Sequence, residues 1–311
     1  MPRLSEEKKA FYFQEIRRLM LDENLRIPYR RIAKSLNIYN KTVSSLYREA
    51  VQKQILFPPI LRPRICTDYR EYVYCINGKD VQSLCHKIEE DPRVEYVTRC
   101  LGHFDLLIIA NDRIDLTIED EFNGAVICGE RENYIYPEVK KGDYLNVFKN
   151  ESDFLHKKDF KFSRMPFDIG KRGNEWLKTE QELFRYLKND GRKVFTNIQR
   201  TLDISRVFLL ECYSRVRKHT LVTVPYYPEG FSRYTKFSVI LKTPYEQQAV
   251  ELLGSFQCFS AFFKVKNNLF GYVGVEKNLI HEFLLLISDM ISTGFSESLI
   301  FSVPLHYYSS D

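Results

Sequence analysis

The sequence lacks the long apolar runs that mark membrane and secreted proteins. None of its apolar stretches approaches the ~20 residues that a membrane-spanning helix needs. The opening stretch, MPRLSEEKK, also has none of the apolar character of a signal peptide. We therefore expect a cytoplasmic protein with no membrane partner.

Cysteine is present, but not in any paired motif. The seven cysteines include no Cys-x-x-Cys pair, which excludes the usual zinc-finger and dithiol redox patterns. A glycine-rich phosphate-binding loop and a recognisable Ser-His-Asp motif are also absent from the sequence. We therefore predict no metal site, no cofactor and no catalytic residue, with reduced and buried thiols at Cys66, Cys75, Cys85, Cys100, Cys128, Cys212 and Cys258.

Charge is distributed unevenly along the 311 residues, whose formal net charge is +5. Residues 1–64 hold fourteen lysines and arginines against six acidic residues, a local charge of +8, so the remainder of the chain sums to −3. A basic end on a slightly acidic body favours nucleic-acid binding, because phosphate contacts supply most of the non-specific affinity for DNA. The length indicates two or more domains.

Residues 27–54 predict a helix-turn-helix preceded by a further helix over 9–22. Pro28 suits the first turn of the middle helix, and residues 37–40 form the turn. The third helix, over 40–53, has an inward stripe of Val43, Tyr47, Ala50 and Val51. Residues 55–65 are expected to form a wing, which completes a winged helix-turn-helix domain over 1–65.

The outward face of the third helix has the residue types that read DNA. Short hydroxyls and long cations can reach base edges and phosphates in a major groove, although an ordinary solvated helix face has a similar composition. We predict contacts to bases from Lys41, Ser44, Ser45 and Arg48, and to phosphates from Arg26, Arg30, Arg31 and Lys53. Asn40 belongs to the same predicted site, as the cap of the helix in place of Tyr39.

The pattern changes after residue 65 to that of a ferredoxin-like β-α-β-β-α-β module, predicted over 66–140. A strand is expected over 71–77, a helix over 79–90, and strands over 94–101 and 105–111. No second helix is evident after Asn111, so this module is expected to be truncated or decorated. Residues 141–175 mix charges, aromatics and turn formers, and are predicted to be a partly packed linker.

The second half of the chain repeats the first. Core positions recur with a nearly constant offset, as when Ile32 aligns with Ile198 and Tyr47 with Tyr213. We therefore predict a second winged helix-turn-helix over 176–233 and a complete ferredoxin-like module over 234–311, giving an α+β fold built from two repeats. The second recognition helix, over 205–217, is apolar on most of its surface, which favours packing against a partner over DNA reading.

Five short motifs accompany this order of elements: IAKSLNI (32–38), TVS (42–44), PP (58–59), DPRV (91–94) and GHFDLL (102–107). Together they resemble the leucine-responsive/asparagine-synthesis regulators, also called Lrp/AsnC-like or feast/famine regulators. The resemblance implies that the first domain binds DNA, and that the second dimerises and senses a small effector such as an amino acid. It places the effector site at Gly102, His103, Phe104 and Asp105.

These observations predict a sequence-specific transcription regulator that binds double-stranded DNA as a homodimer and is not an enzyme. The alternative is an enzyme of the haem pathway, because siroheme decarboxylases resemble the same architecture. Such an enzyme requires histidine and arginine in a sheet-lined pocket. The six histidines form no paired histidine-arginine motif, and only His103 has a position that suggests a function. A purely structural oligomerisation protein is the third hypothesis.

Overall fold

The computed structural model describes residues 4–139, 144–166 and 176–309, and the chain divides into two compact units. Unit 1 comprises Met1–Arg64 and Asn174–Arg233, and unit 2 comprises Ile65–Gly173 and Tyr234–Asp311. Each unit thus combines one part of the first repeat with the corresponding part of the second.

The helices are α1 (Glu6–Asp22), α2 (Tyr29–Leu36), α3 (Asn40–Gln52), α4 (Val81–Glu89), α5 (Tyr144–Lys157), α6 (Lys178–Leu187), α7 (Phe195–Leu202), α8 (Arg206–Lys218), α9 (Glu246–Leu253) and α10 (Ile280–Ser292). The strands are β1 (Ile60–Pro63), β2 (Tyr72–Gly78), β3 (Val94–Gly102), β4 (Leu106–Ala110), β5 (Phe122–Glu130), β6 (Thr220–Thr223), β7 (Tyr234–Lys242), β8 (Ala261–Val265), β9 (Asn268–Glu276) and β10 (Ser298–Ser309). The mixed α+β class predicted from the sequence is confirmed.

Unit 1 contains two helix-turn-helix copies, α1–α3 and α6–α8. In the first copy Asn37 adopts a left-handed conformation that ends α2, and α3 begins after Tyr39 without a side-chain cap. Asn40 is therefore the first residue of α3 and not its cap. The side chains that α3 buries are Val43, Leu46 and Ala50, whereas Tyr47 is only half-buried.

The two copies are joined through their wings. Strand β1 pairs antiparallel with β6, so that Leu61 faces Val222. Leu61 also belongs to the hydrophobic core of the second copy, together with Leu25. Gly191 permits this approach, because a β-carbon there would lie 2.8 Å from a methyl carbon of Leu61 and 2.9 Å from one of Leu25. The predicted wing is thus shared between the copies.

Two arginines, one from each helix-turn-helix copy, form reciprocal contacts across the interface between the copies; we call these contacts the arginine exchange. Arg26 of the first copy donates hydrogen bonds to the carbonyls of Gly191 (2.6 Å) and Lys193 (2.9 Å), and its Cζ lies 3.7 Å from the centroid of the Phe195 ring. Arg192 of the second copy does the reverse. Its side chain donates to the carbonyls of Leu25 (2.8 Å) and Ile27 (3.2 Å) and lies over the ring of Tyr29 at 4.8 Å.

Unit 2 is built on one antiparallel sheet of eight strands in the order β5-β2-β4-β3-β10-β7-β9-β8. The chain that leaves β5 continues along β8, where Arg131 bridges Val265 and Ile135 bridges Phe262. The two edges of the sheet therefore meet, and the sheet closes into a barrel. An eight-stranded barrel is just wide enough to be filled by side chains or to hold a small ligand.

Helices cover the outside of this barrel. Helix α4 packs on the strands of the first module, and α5, α9 and α10 pack on those of the second. Helix α5 lies within the segment predicted as a linker. Between β4 and β5 the structure has only a short 3-10 turn, Leu116–Ile118, so the first module lacks a second helix of its own in this interval. Strand β10 completes the sheet by pairing with both β3 and β7.

No helix within the described residues is long and apolar enough to cross a membrane. All seven cysteines are free thiols, and every one except Cys128 is buried.

The arginine exchange gives a first testable prediction. We expect Arg26→Ala to lower the free energy of unfolding by about 2 kcal/mol, because it removes two hydrogen bonds from a cation and a cation-π contact. The exposed Arg30→Ala is the matched control and should change stability by less than about 0.5 kcal/mol. Urea denaturation of the full chain measures both variants. Equal midpoints for the two variants would show that the exchange does not stabilise unit 1.

Candidate functional site

The residues predicted to contact DNA lie at the surface of unit 1, but several already have partners. Arg31 forms an ion pair with Glu23 (2.7 Å), and Lys53 forms one with Glu49 (2.7 Å). Arg26, predicted as a phosphate contact, donates its hydrogen bonds to the carbonyls of Gly191 and Lys193 in the second copy. The exposed members of the set are Arg30, Arg31, Asn40, Lys41, Ser45, Arg48 and Lys53, whereas Arg26 and Ser44 are half-buried.

The residues of the turn predicted to bind an effector contact strands β10 and β2 of the fold. Gly102 has a φ of +145°, and a β-carbon there would lie 2.6 Å from the carbonyl oxygen of Phe301. His103 places Nδ1 2.8 Å from the same oxygen. The buried Phe104 donates its N–H to Ser302 Oγ (3.0 Å), and Asp105 accepts a hydrogen bond from the Gly78 N–H (3.1 Å). Effector binding at this turn stays a prediction.

The interior of the barrel in unit 2 is the second candidate. Its core is apolar where β2, β4 and β5 meet β8 and β9, with Val73, Cys75 and Phe270 among the buried residues. Side chains alternate between the two faces of a strand. On β7, the side chains of Phe237, Val239 and Leu241 pack against the helices outside the barrel, whereas that of Ile240 packs inside it. Lys236 and Ser238 lie on the same face of the strand as Ile240 and therefore face the interior.

One end of the barrel is lined by five half-buried aromatic residues, which we call the aromatic mouth: Tyr96, Tyr134, Tyr136, Phe259 and Tyr272. The ring of Tyr136 stacks between Tyr134 (5.7 Å between centroids) and Phe259 (5.8 Å). Because these five residues are only partly buried, the mouth presents aromatic surface on which a flat ligand could stack.

A buried ion pair positions the aromatic mouth. The side chain of Arg131 is fully buried and lies 2.6 Å from Glu71, which also accepts a hydrogen bond from Tyr69 (2.6 Å). The guanidinium carbon of Arg131 lies 4.1 Å from the centroid of Tyr134. Both charges are thus compensated inside the protein, and Arg131 holds the Tyr134 ring in place.

Lys236 brings a positive charge to this end of the barrel. It is half-buried on β7, opposite Gly274 of β9, which adds no side chain. Burial, together with the nearby charge on Lys277, lowers the pKa of Lys236 to about 8. Lys236 is therefore still a cation at neutral pH, and it can bind a carboxylate group of a ligand.

Two hydroxyl groups lie deeper on the same interior face. Ser238 and Tyr272 are directly paired across β7 and β9. Both hydroxyl oxygens are buried, and neither has a hydrogen-bond partner of normal geometry among the described residues. Tyr96 lies close enough to influence the pKa of Tyr272, which burial raises well above its ordinary value. These hydroxyls remain protonated and can donate to a bound oxygen atom.

Sequence reasoning missed Lys236 and Ser238. The segment KFSVI (236–240) alternates in a way that places Lys236, Ser238 and Ile240 on one face. The pattern does not show that this face is enclosed, because the covering strands come from the other half of the chain. None of the histidines with described side chains belongs to the aromatic mouth, and the side chain of His306 lies outside the described residues.

Comparison with known proteins gives a clear structural match. No protein-family model and no curated protein matches this chain. Among solved structures, the chain is similar to the siroheme decarboxylase NirDL in co-complex with an iron-uroporphyrin III analogue, with a TM-score of 0.52 and 13% identity over 98% of this chain and 93% of that one. A second structure of siroheme decarboxylase NirDL has a TM-score of 0.51 and 13% identity, over 96% and 92% of the two chains.

The similarity corrects the function predicted from the sequence. The two structures are decarboxylases with the architecture expected for Lrp/AsnC-like regulators, and they match nearly the whole chain. The prediction of a DNA-binding transcription regulator is therefore wrong, and the haem-pathway alternative is the better supported one. A polar helix face was an insufficient basis for that prediction, since solvated faces have the same composition.

The charge on Lys236 predicts a dependence of stability on pH. The folded-state pKa of about 8 lies below the ordinary value of 10.5, so the unfolded chain binds the proton more tightly between these two pH values. The free energy of unfolding of the wild type should therefore rise with pH in this window, whereas that of Lys236→Met should not. At pH 7 we expect Lys236→Met to be more stable than the wild type.

Lys242→Met, which removes an exposed lysine from the same strand, is the matched control variant. Urea denaturation between pH 6 and pH 10 measures the difference, with the window set by the pKa of about 8. A stability difference between wild type and Lys236→Met that is independent of pH would contradict the assignment of a partly buried cation.

Proposed function

We propose that this protein is an enzyme that removes carboxyl groups from an acidic tetrapyrrole, in the manner of a siroheme decarboxylase. The observation that carries the proposal is the similarity to siroheme decarboxylase NirDL along 98% of this chain, including a complex with a tetrapyrrole analogue. The identity of 13% makes this a proposal about chemistry on a common fold.

The aromatic mouth supports the proposal through its shape and composition. A tetrapyrrole is a flat, conjugated ring with acidic side chains at its edge. The stacked rings of Tyr134, Tyr136 and Phe259 offer surface for the ring. Lys236 offers a positive charge for a carboxylate, and its partial burial strengthens that interaction relative to one in water.

The reaction requires an environment that the barrel can supply. A carbon–carbon bond to a carboxylate breaks, carbon dioxide leaves, and the electron pair remains on the former methylene carbon until a proton replaces the lost group. The conjugated ring of the substrate delocalises this pair, and the iron of siroheme is part of the substrate. The protein has to bind the ring, exclude water and provide a proton.

Two predictions from the sequence accompany this proposal. A cytosolic location and a homodimer are both compatible with such an enzyme, and both stay predictions.

The proposal is tested by incubating the purified full chain with siroheme under anaerobic conditions. Mass spectrometry should detect products in which carboxyl groups are replaced by hydrogen. Lys236→Met should weaken binding of the iron-uroporphyrin III analogue about tenfold, because one charge-assisted contact is lost. Absorption titration measures this affinity. Lys242→Met, away from the mouth, should bind as wild type does.

A wild-type chain that neither binds the analogue nor releases carbon dioxide from siroheme would refute the proposal. Equal affinities for Lys236→Met and Lys242→Met would show that the tetrapyrrole does not bind at the aromatic mouth.

A further inference from the structure

Three residues form a row across strands β10, β7 and β9 inside the barrel. Ser302 pairs with Ser238, and Ser238 pairs with Tyr272. Ser302 and Ser238 are completely buried, and so is the hydroxyl oxygen of Tyr272. All three side chains have a hydroxyl group, so the row places three polar groups at neighbouring positions beside the apolar core of the barrel.

The three hydroxyls differ in their hydrogen bonds. Ser302 Oγ accepts from the N–H of Phe104 at 3.0 Å and donates to its carbonyl at 3.2 Å. Ser238 has no equivalent partner within the described part of the chain, and the Tyr272 hydroxyl has only a contact with that of Tyr96, which falls outside normal hydrogen-bond geometry. A buried hydroxyl without a partner destabilises the fold, and an apolar residue of similar shape would avoid that cost. The pair therefore suits a ligand oxygen better than it suits the core.

The pair is electrically neutral, whereas the nearby lysine is charged. Lys236 lies two residues before Ser238 on the same face of β7, which separates their α-carbons by roughly 7 Å. The interior thus offers two sites for acidic groups on neighbouring substituents of one pyrrole ring. Beside Lys236 a carboxylate is stabilised by an opposite charge. Between two hydroxyls it receives hydrogen bonds but no compensating charge.

We infer that Ser238 and Tyr272 form the subsite for the carboxylate that is lost, and that Lys236 binds a neighbouring carboxylate that is retained. This inference rests on the proposed function and extends it to the choice of reacting group. A localised negative charge is disfavoured in a neutral, dry subsite, and decarboxylation disperses that charge into the conjugated ring while neutral carbon dioxide departs.

The step balances with the groups present. The bond between the methylene carbon and the carboxylate carbon breaks, and its electron pair stays on the methylene carbon. Carbon dioxide leaves, and the Tyr272 hydroxyl transfers its proton to that carbon to give a methyl group. The tyrosinate then takes a proton from water. Tyr272 is thus a catalytic residue, and Ser238 is a positioning residue that orients the carboxylate.

Three single variants of the full chain test the inference. Ser238→Ala should leave the melting temperature unchanged or raise it, because it removes a hydroxyl without a partner, and Tyr272→Phe should lower it less than Ser302→Ala does, because it loses only the contact with the Tyr96 hydroxyl. Ser238→Ala and Tyr272→Phe should each keep the affinity for the iron-uroporphyrin III analogue within about threefold and slow carbon dioxide release from siroheme at least tenfold, a barrier increase of about 1.4 kcal/mol. Ser302→Ala is the matched control and should lower the melting temperature by several degrees, because it leaves the N–H of Phe104 without its acceptor.

Two outcomes would overturn the inference while leaving the proposed function intact. The first is wild-type turnover in both Ser238→Ala and Tyr272→Phe. The second is a loss of melting temperature in these variants as large as that in Ser302→Ala, which would assign the hydroxyls to the fold. A wild-type chain without tetrapyrrole binding or turnover would instead refute the proposed function, and the inference with it.

Discussion

Strand β10 is the constraint on which the barrel of unit 2 depends. It pairs with β3 of the first module on one edge and with β7 of the second on the other, so one strand sets the register of both halves. Ser302 consequently lies opposite both Gly102 and Ser238. The registered pairing with β7 ends at Ser238, whereas β10 continues along β3 to Ser309. The two strands part where Lys236 begins the polar stretch of β7.

In unit 1, too, corresponding elements of the two copies contact each other. The wings share a two-stranded sheet, and Arg26 and Arg192 each lie over an aromatic ring of the opposite copy. Both arginines point into the interface between the copies, where backbone carbonyls satisfy them. A helix-turn-helix can therefore be retained as a packing element, and its presence in a sequence indicates a fold more securely than an activity.

The local structure was largely predictable from the sequence, and the long-range pairing was not. The helix over 40–53, the strand over 236–242 and the internal repeat follow from periodicity, and the structure has each of them within a few residues. Helix α5 was missed because residues 141–175 show no clear period. The candidate site was missed for another reason. A strand pattern distinguishes two faces, but it does not show what covers each face. Lys236 and Ser238 face an enclosed interior only because strands that are distant in the sequence cover that face of β7.

The fusion of two copies in one chain has a consequence for the inner surface of the barrel. On β2, in the first copy, the interior residues include Val73 and Cys75, whereas β7 of the second copy contributes Lys236 and Ser238. A symmetric dimer of identical subunits would have to place every interior residue twice, including two partly buried lysines whose like charges repel. Gene duplication removes that restriction, because each half can acquire substitutions independently. One half can keep the apolar surface that holds the barrel together while the other becomes polar.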